Sequence, residues 1–129
     1  QTLTSAGTWT ELIGMETDVA VANADAGAMR YIMNAAARGA LKSTEKASST
    51  AQFVWEGNEV NGYPVIVSNQ LATNDALFGD FSQFIVAMWS GLDLTVDPFA
   101  GATSGTVRVI ALQDVDYAVK QPGAFCLGT

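Results

Sequence analysis

Histidine is absent from the chain. That removes the commonest general base and metal ligand, together with every Ser-His or Cys-His nucleophile pair. The single cysteine, Cys126, can build neither an internal disulfide nor a Cys/His zinc cluster. Its setting, Ala124-Phe125-Cys126-Leu127, reads as that of a small buried hydrophobe. Asp93 and Asp97 fall four apart on one strand face, and Asp114 and Asp116 repeat the pattern two apart. Such carboxylate pairs can hold a cation or share a proton. Here they occupy the outward side of alternating strands, where a solvated face is the simpler account. Asp80, in the Gly79-Asp80 pair, is expected to form a tight turn and bond its neighbouring backbone. Neither GxxxxGK[ST] nor GxGxxG is present to cradle phosphate. Trp9, Trp55 and Trp89 lack interleaved basic residues, which favours packing in a core or subunit interface over base stacking. The expectation is therefore no catalytic residue, no cofactor-binding residue, no metal set and no cofactor.

Charge points the same way. Six basic residues against 13 acidic ones give a formal net charge of −7, and such a chain repels nucleic acid phosphate. The basic residues Arg30, Arg38, Lys42, Lys46, Arg108 and Lys120 form no dense run; the middle trio lines one helix face if a helix reaches Lys46. No partnership with sequence-specific nucleic acid or with a membrane is expected. No run of about 18 apolar residues and no basic leader region occurs. The chain begins Gln1-Thr2-Leu3 without Met, which suggests a processed product or a fragment.

The elements that must carry these residues are legible in outline. At 129 residues, 49% apolar and only 15% charged, the chain can bury one sizeable core. The low charge also suits a surface that meets other protein. Trp9, Leu12, Ile13, Glu16 and Ala20 recur at helical spacing, predicting a helix over Thr8–Ala22 with N-cap candidates just before it. Ala28–Met33 reads as a buried strand, Asn34 as a cap, and Ala35–Lys42 as a second helix. Helix, strand, helix in so few residues argues for helices layered on one sheet. Ser43–Gln52 is a polar loop. Phe53-Val54-Trp55 is a short apolar return, and Asn61-Gly62 a hairpin pair before the strand Tyr63–Val67. Leu71–Asp75 is another loop.

The run Leu77–Phe99 then packs and pairs. Phe84–Trp89 is an apolar strand broken at Ser90-Gly91. Leu92, Leu94 and Val96 alternate with Asp93, Thr95 and Asp97 as a half-buried strand that Pro98 should stop. Phe99–Gly105 reads as a flexible loop. Thr106–Val115 reads as a strand buried on both faces, with Val107, Val109 and Ala111 on one side and Arg108, Ile110 and Leu112 on the other. After Pro122, Gly123–Leu127 forms a last short strand.

These stretches, in this order, resemble one family. GAMRYIMNAAARGAL (Gly27–Leu41) is similar to its strand ending in Asn before a helix, and VNGYPVIVSNQL (Val60–Leu71) to its GxPV strand. The GDF turn, FIVAMW, LDLTVD, the Thr106–Val115 strand and the terminal Pro122-Gly123-Ala124-Phe125 follow. Together they cover about four-fifths of the chain and resemble the major capsid proteins of tailed bacteriophages, with the Hong Kong 97-like shell fold.

The resemblance implies an α+β fold. Residues 1–90 would be the axial domain, and 91–129 the returning strands of an incomplete peripheral domain. The N-terminal arm, extended loop and spine helix of the family have no counterpart here. Ser43–Gln52 would lie towards the five- or six-fold centre, and Asp97–Gly105 near local three-fold contacts. Some members join subunits by a Lys–Asn isopeptide bond, but Gly101–Leu112 has no Asn. The implied function is self-assembly into pentamers and hexamers of an icosahedral shell around double-stranded DNA, in a virion made in the bacterial cytoplasm. Scaffold, maturation protease and portal proteins would be partners. A bacterial nanocompartment shell is the nearest alternative. A stand-alone α+β ligand-binding or enzymatic domain is the other, and would need a deep pocket with converging polar groups. The shell reading instead requires exposed apolar residues around Leu92–Val96 and Thr106–Val115.

Overall fold

The computed structural model describes residues 2–3, 7–101 and 103–129. In chain order the elements are α1 (Trp9–Val21), β1 (Met29–Met33), α2 (Ala35–Ser43), β2 (Trp55–Glu56), β3 (Glu59–Val60), β4 (Tyr63–Val67) and β5 (Ala76–Asp80). A 3₁₀ turn, Phe81–Gln83, leads to β6 (Phe84–Met88), β7 (Asp93–Gly101), β8 (Thr106–Leu112) and β9 (Val115–Val119). A second 3₁₀ turn, Pro122–Ala124, precedes β10 (Phe125–Gly128). They divide into two compact units, Gln1–Gln83 with Lys120–Thr129, and Phe84–Val119. The expected boundary lies instead after residue 90. The difference follows from pairing: β6 bonds β9, while β10 returns to β5.

The first unit is built on a six-stranded sheet of order β10-β5-β1-β4-β3-β2. β1 pairs parallel with β4 and antiparallel with β5, so α2 lies in a crossover between parallel neighbours. α1 starts at a capping box: the Thr8 amide donates to Glu11 Oε2 (2.7 Å), and the Glu11 amide to Thr8 Oγ1 (3.4 Å). It ends where Asn23 turns left-handed and the Ala24 amide reaches back to the Val19 carbonyl. Asn34 caps α2 by accepting from the Ala37 amide (2.7 Å), and its own amide donates to the Ala72 carbonyl (3.1 Å). One residue thus starts a helix and anchors the 71–75 loop.

The core lies on one sheet face. Met29, Tyr31 and Met33 alternate inward from β1 and meet Leu12, Met15 and Val19 of α1, Ala37 and Leu41 of α2, and Phe78 of β5. Tyr31 and Phe78 are cross-strand partners with ring centroids 4.4 Å apart, and Tyr63 stands edge-on to Phe78 at 5.3 Å. The Tyr31 hydroxyl donates to the Leu12 carbonyl (3.0 Å) and to Glu16 Oε1 (2.7 Å). Burial first, and the Glu16 contact second, push its pKa up, so it stays neutral.

Gly79-Asp80 is not a turn. β5 runs through both residues, and the bend is the 3₁₀ segment that follows. Gly79 is needed for close approach instead, because a Cβ there would lie 2.4 Å from the Ala124 carbonyl oxygen.

The second unit is an antiparallel ribbon in two ladders, β6 with β9 and β7 with β8. Between them the Trp89 amide donates to the Asp114 carbonyl (3.2 Å), and the Asp114 amide to Ser90 Oγ (3.3 Å). Pro98 does not stop β7. Asp97 Oδ1 accepts the Phe99 and Ala100 amides (2.9 and 3.2 Å), the register shifts, and pairing resumes at Gly101↔Thr106. Among the described residues β7 pairs with β8 alone, so a residue lacking N–H is tolerated at its open edge. The expected loop therefore shrinks to a turn before Thr106. The expected burial is also absent: β8 is exposed along its whole length, and Leu94 and Val96 are exposed on β7.

Candidate assembly surfaces

The side chains that could have done chemistry are not gathered. Among the described residues no three His, Cys, Asp or Glu cluster for a metal, and no helix is long and apolar enough to cross a membrane. Asp93 and Asp97 share a face of β7, yet Asp97 is engaged in backbone capping. Asp116 lies on β9 and accepts from the Tyr117 amide, while Asp114 sits outside that strand, so this pair is not one strand face. Cys126 is half-buried with Sγ 3.8 Å from Asp18 Oδ2; burial first, then that carboxylate, raise its pKa.

Asp80 is the buried carboxylate the sequence placed in a turn. Its Oδ1 accepts the Ala28 and Ser82 amides, both at 2.9 Å, and its Oδ2 accepts the Ser82 hydroxyl at 2.8 Å. Burial pushes its pKa up, but these hydrogen bonds outweigh it and the carboxyl titrates below its ordinary value. Gly27 makes room for it: with φ +145°, a Cβ there would fall 2.5 Å from Asp80 Oδ2. Asp80 is thus a clasp between the residue entering β1 and the turn after β5.

An open cleft of about 250 Å³ lies in the first unit beside Ile13, Glu16, Asp25, Met29 and Tyr63. Its Glu16 carboxylate already binds the Tyr31 hydroxyl and the Asn61 amide. That is a structural role, and converging free polar groups of the kind a ligand site needs are not assembled there.

The conspicuous surface is the ribbon. Directly paired residues of an antiparallel ladder share a face. Pairing Phe84↔Val119, Val86↔Tyr117 and Met88↔Val115 makes one face of the β6–β9 ladder wholly apolar. Leu94↔Ala111 and Val96↔Val109 do the same for β7–β8, while Asp93, Thr95, Asp97 and Arg108 take the other face with Ile110 and Leu112. Phe84 stacks on Tyr117 at 5.8 Å, yet Tyr117 remains 71% exposed and Val109 62%. Among the described residues of Phe84–Val119, none is buried. A two-stranded ribbon is marginal alone, and exposed apolar faces of this kind are candidate contacts with other protein. Of the tryptophans, Trp55 is in the core, Trp9 packs against it with Lys46 Nζ 4.8 Å over its ring, and Trp89 is 69% exposed. The basic trio is split, because α2 ends at Ser43 before Lys46.

The chain is similar to known capsid proteins. The major capsid protein of Halomonas phage phiHAP-1 is 39% identical over 119 residues, which is 92% of this chain and 20% of that protein. The chain thus spans about a fifth of the length of that curated relative. Among solved structures, the capsid of an empty GTA particle computed with C5 symmetry superposes with a TM-score of 0.73 at 21% identity, covering 92% of this chain and 43% of that one. A virus-like particle from Pyrococcus furiosus gives 0.65 at 18% identity, covering 100% of this chain and 55% of the other. The fold is accordingly α+β and of the Hong Kong 97-like capsid kind. The sequence profile of the phage capsid family matches residues 1–129, and the chain belongs to that family.

Proposed function

We propose that this chain is part of a phage major capsid protein whose work is structural: self-assembly into the pentamers and hexamers of an icosahedral shell around double-stranded DNA. In this reading the first unit is the axial domain, and the ribbon Phe84–Val119 is part of the peripheral-domain sheet. The observation that carries it is the ribbon's uncovered apolar face. Burying side chains such as Leu94, Val96 and Val109 is worth about 1.5–3 kcal/mol each, a driving force that the described chain leaves unused. A ribbon with its apolar side chains exposed is suited to subunit contacts, and no catalytic step is assigned to it. The net charge of −7 suits a wall against which DNA packs without sticking. Scaffold, protease and portal proteins would act on the shell during assembly in the host cytoplasm, and the mature protein would reside in the virion.

Electron microscopy of the complete gene product expressed alone tests this: closed icosahedral particles are expected. A monodisperse soluble monomer would overturn the reading. Particles filled with one copurifying protein in place of DNA would move it to a nanocompartment shell.

A further inference from the structure

Two surfaces of the first unit carry like charges that the chain leaves uncompensated. The first is the outer side of α2. Arg38 and Lys42 stand one turn apart on it, both exposed, on a flank about 100° round the helix from the buried Ala37 and Leu41. The helix contains no acidic residue. Like charges at this spacing repel along a helix. Lys42 lies in the last turn, where the helix dipole favours a cation, but Arg38 has no such reason for its place. Neither forms an ion pair among the described residues.

The second surface is the β2–β3 hairpin. Its two cross-strand pairs are Trp55↔Val60 and Glu56↔Glu59. Trp55 and Val60 are buried, which pins the hairpin and turns both glutamates outward into solvent. Like charges directly opposite on a ladder are destabilising. Glu56 accepts only the Phe53 amide (3.2 Å), and neither glutamate meets a cation among the described residues. Two fixed cations and two fixed anions, each pair costly by itself, are matched in number and opposite in sign.

We propose that the Glu56/Glu59 edge of one copy docks on the Arg38/Lys42 face of a second copy. A contact between two different patches can repeat head to tail from copy to copy, the heterologous arrangement from which rings of subunits are built. Complementary charge fixes which surfaces meet and suppresses wrong pairings more than it adds raw affinity. The proposal rests on the shell reading above and names the surfaces by which its rings close.

The test is a charge swap in the complete gene product. Arg38→Glu with Lys42→Glu, and separately Glu56→Lys with Glu59→Lys, should each lower the yield of closed particles at least tenfold. All four substitutions in one chain should restore it, because every copy then offers its neighbour the opposite charge. Thermal melts report whether the first unit stays folded. If reversal unfolds it, the neutral pairs Arg38→Gln/Lys42→Gln and Glu56→Gln/Glu59→Gln replace it, and should remove the salt sensitivity of assembly. Wild-type particles with unaffected variants would overturn the contact while leaving the shell reading standing. Loss without rescue would also overturn it, as would intact particles that have lost only their nucleic acid. No particles from the wild type would overturn the shell reading itself.

Discussion

In the six-stranded sheet, Tyr31 and its cross-strand partner Phe78 are fully buried under α1. In the ribbon, Val86 and its partner Tyr117 are just as apolar and just as well paired, yet both stand more than half exposed. The backbone ladders are equivalent; the cover is not. The first unit has helices in its own sequence to seal one face of its sheet, and the second has none. Alternation along a strand decides which side chains share a face, but a face is buried only by a second layer. A chain can therefore be locally complete and still leave a whole unit without a core.

Substitutions can break this comparison or sharpen it. The largest effect is expected for Phe78→Ala. It removes a ring from a sealed aromatic cluster and should lower stability by about 3–5 kcal/mol, read as a shift in the chemical denaturation midpoint. A loss under 1 kcal/mol would mean that the first unit is not the tight body described.

Asp80→Asn should cost less, about 1–3 kcal/mol, by disturbing the clasp on Ala28 and Ser82. Its pH signature is more specific. The folded-state pKa of Asp80 is lowered, so its contribution is full above the ordinary carboxylate value of about 4. That contribution fades as pH falls through the folded value. Denaturation midpoints followed from pH 6 downward should fall in wild type and flatten in Asp80→Asn. Parallel curves would remove the clasp.

The smallest effect is expected in the ribbon. Val96→Ala or Val109→Ala should change the unfolding free energy of the 129-residue chain by less than about 0.5 kcal/mol, since neither side chain is buried. The same changes in the complete gene product should reduce particle yield. A cost near that of Phe78→Ala in the 129-residue chain would show that the ribbon has a core of its own.

The first unit was largely readable because its signals are local. Helical spacing in α1, the Asn34 cap and the short strand before it depend on neighbours three or four residues apart, and the observed bounds fall within a residue or so of those expected. Gly79-Asp80 misled because a turn dipeptide and a strand end that needs close approach look alike in one dimension. What distinguishes them is Ala124, far along the chain. Pro98 misled similarly: its missing donor ends a strand only where a partner needs that donor, and β7 has an open edge. Strands do form at Leu92–Val96 and within Thr106–Val115, although the second ends at Leu112 and Val115 opens a separate strand, β9; burial there cannot be read from composition, which does not report whether a covering layer exists. The Glu56↔Glu59 opposition could not be read at all, since it requires the register of a two-residue ladder.

By itself, the sequence determined the lack of histidine and the single cysteine, the kinds and positions of most elements, and a resemblance to capsid shells. Those follow from residue types, periodicities near 2 and 3.6, and ordered local patterns. Only the tertiary structure decided that the C-terminal strand returns to β5, that Asp80 is a clasp, and which charges and apolar faces are left without partners. Burial and pairing depend on residues far apart in the chain, and those are brought together only by the fold.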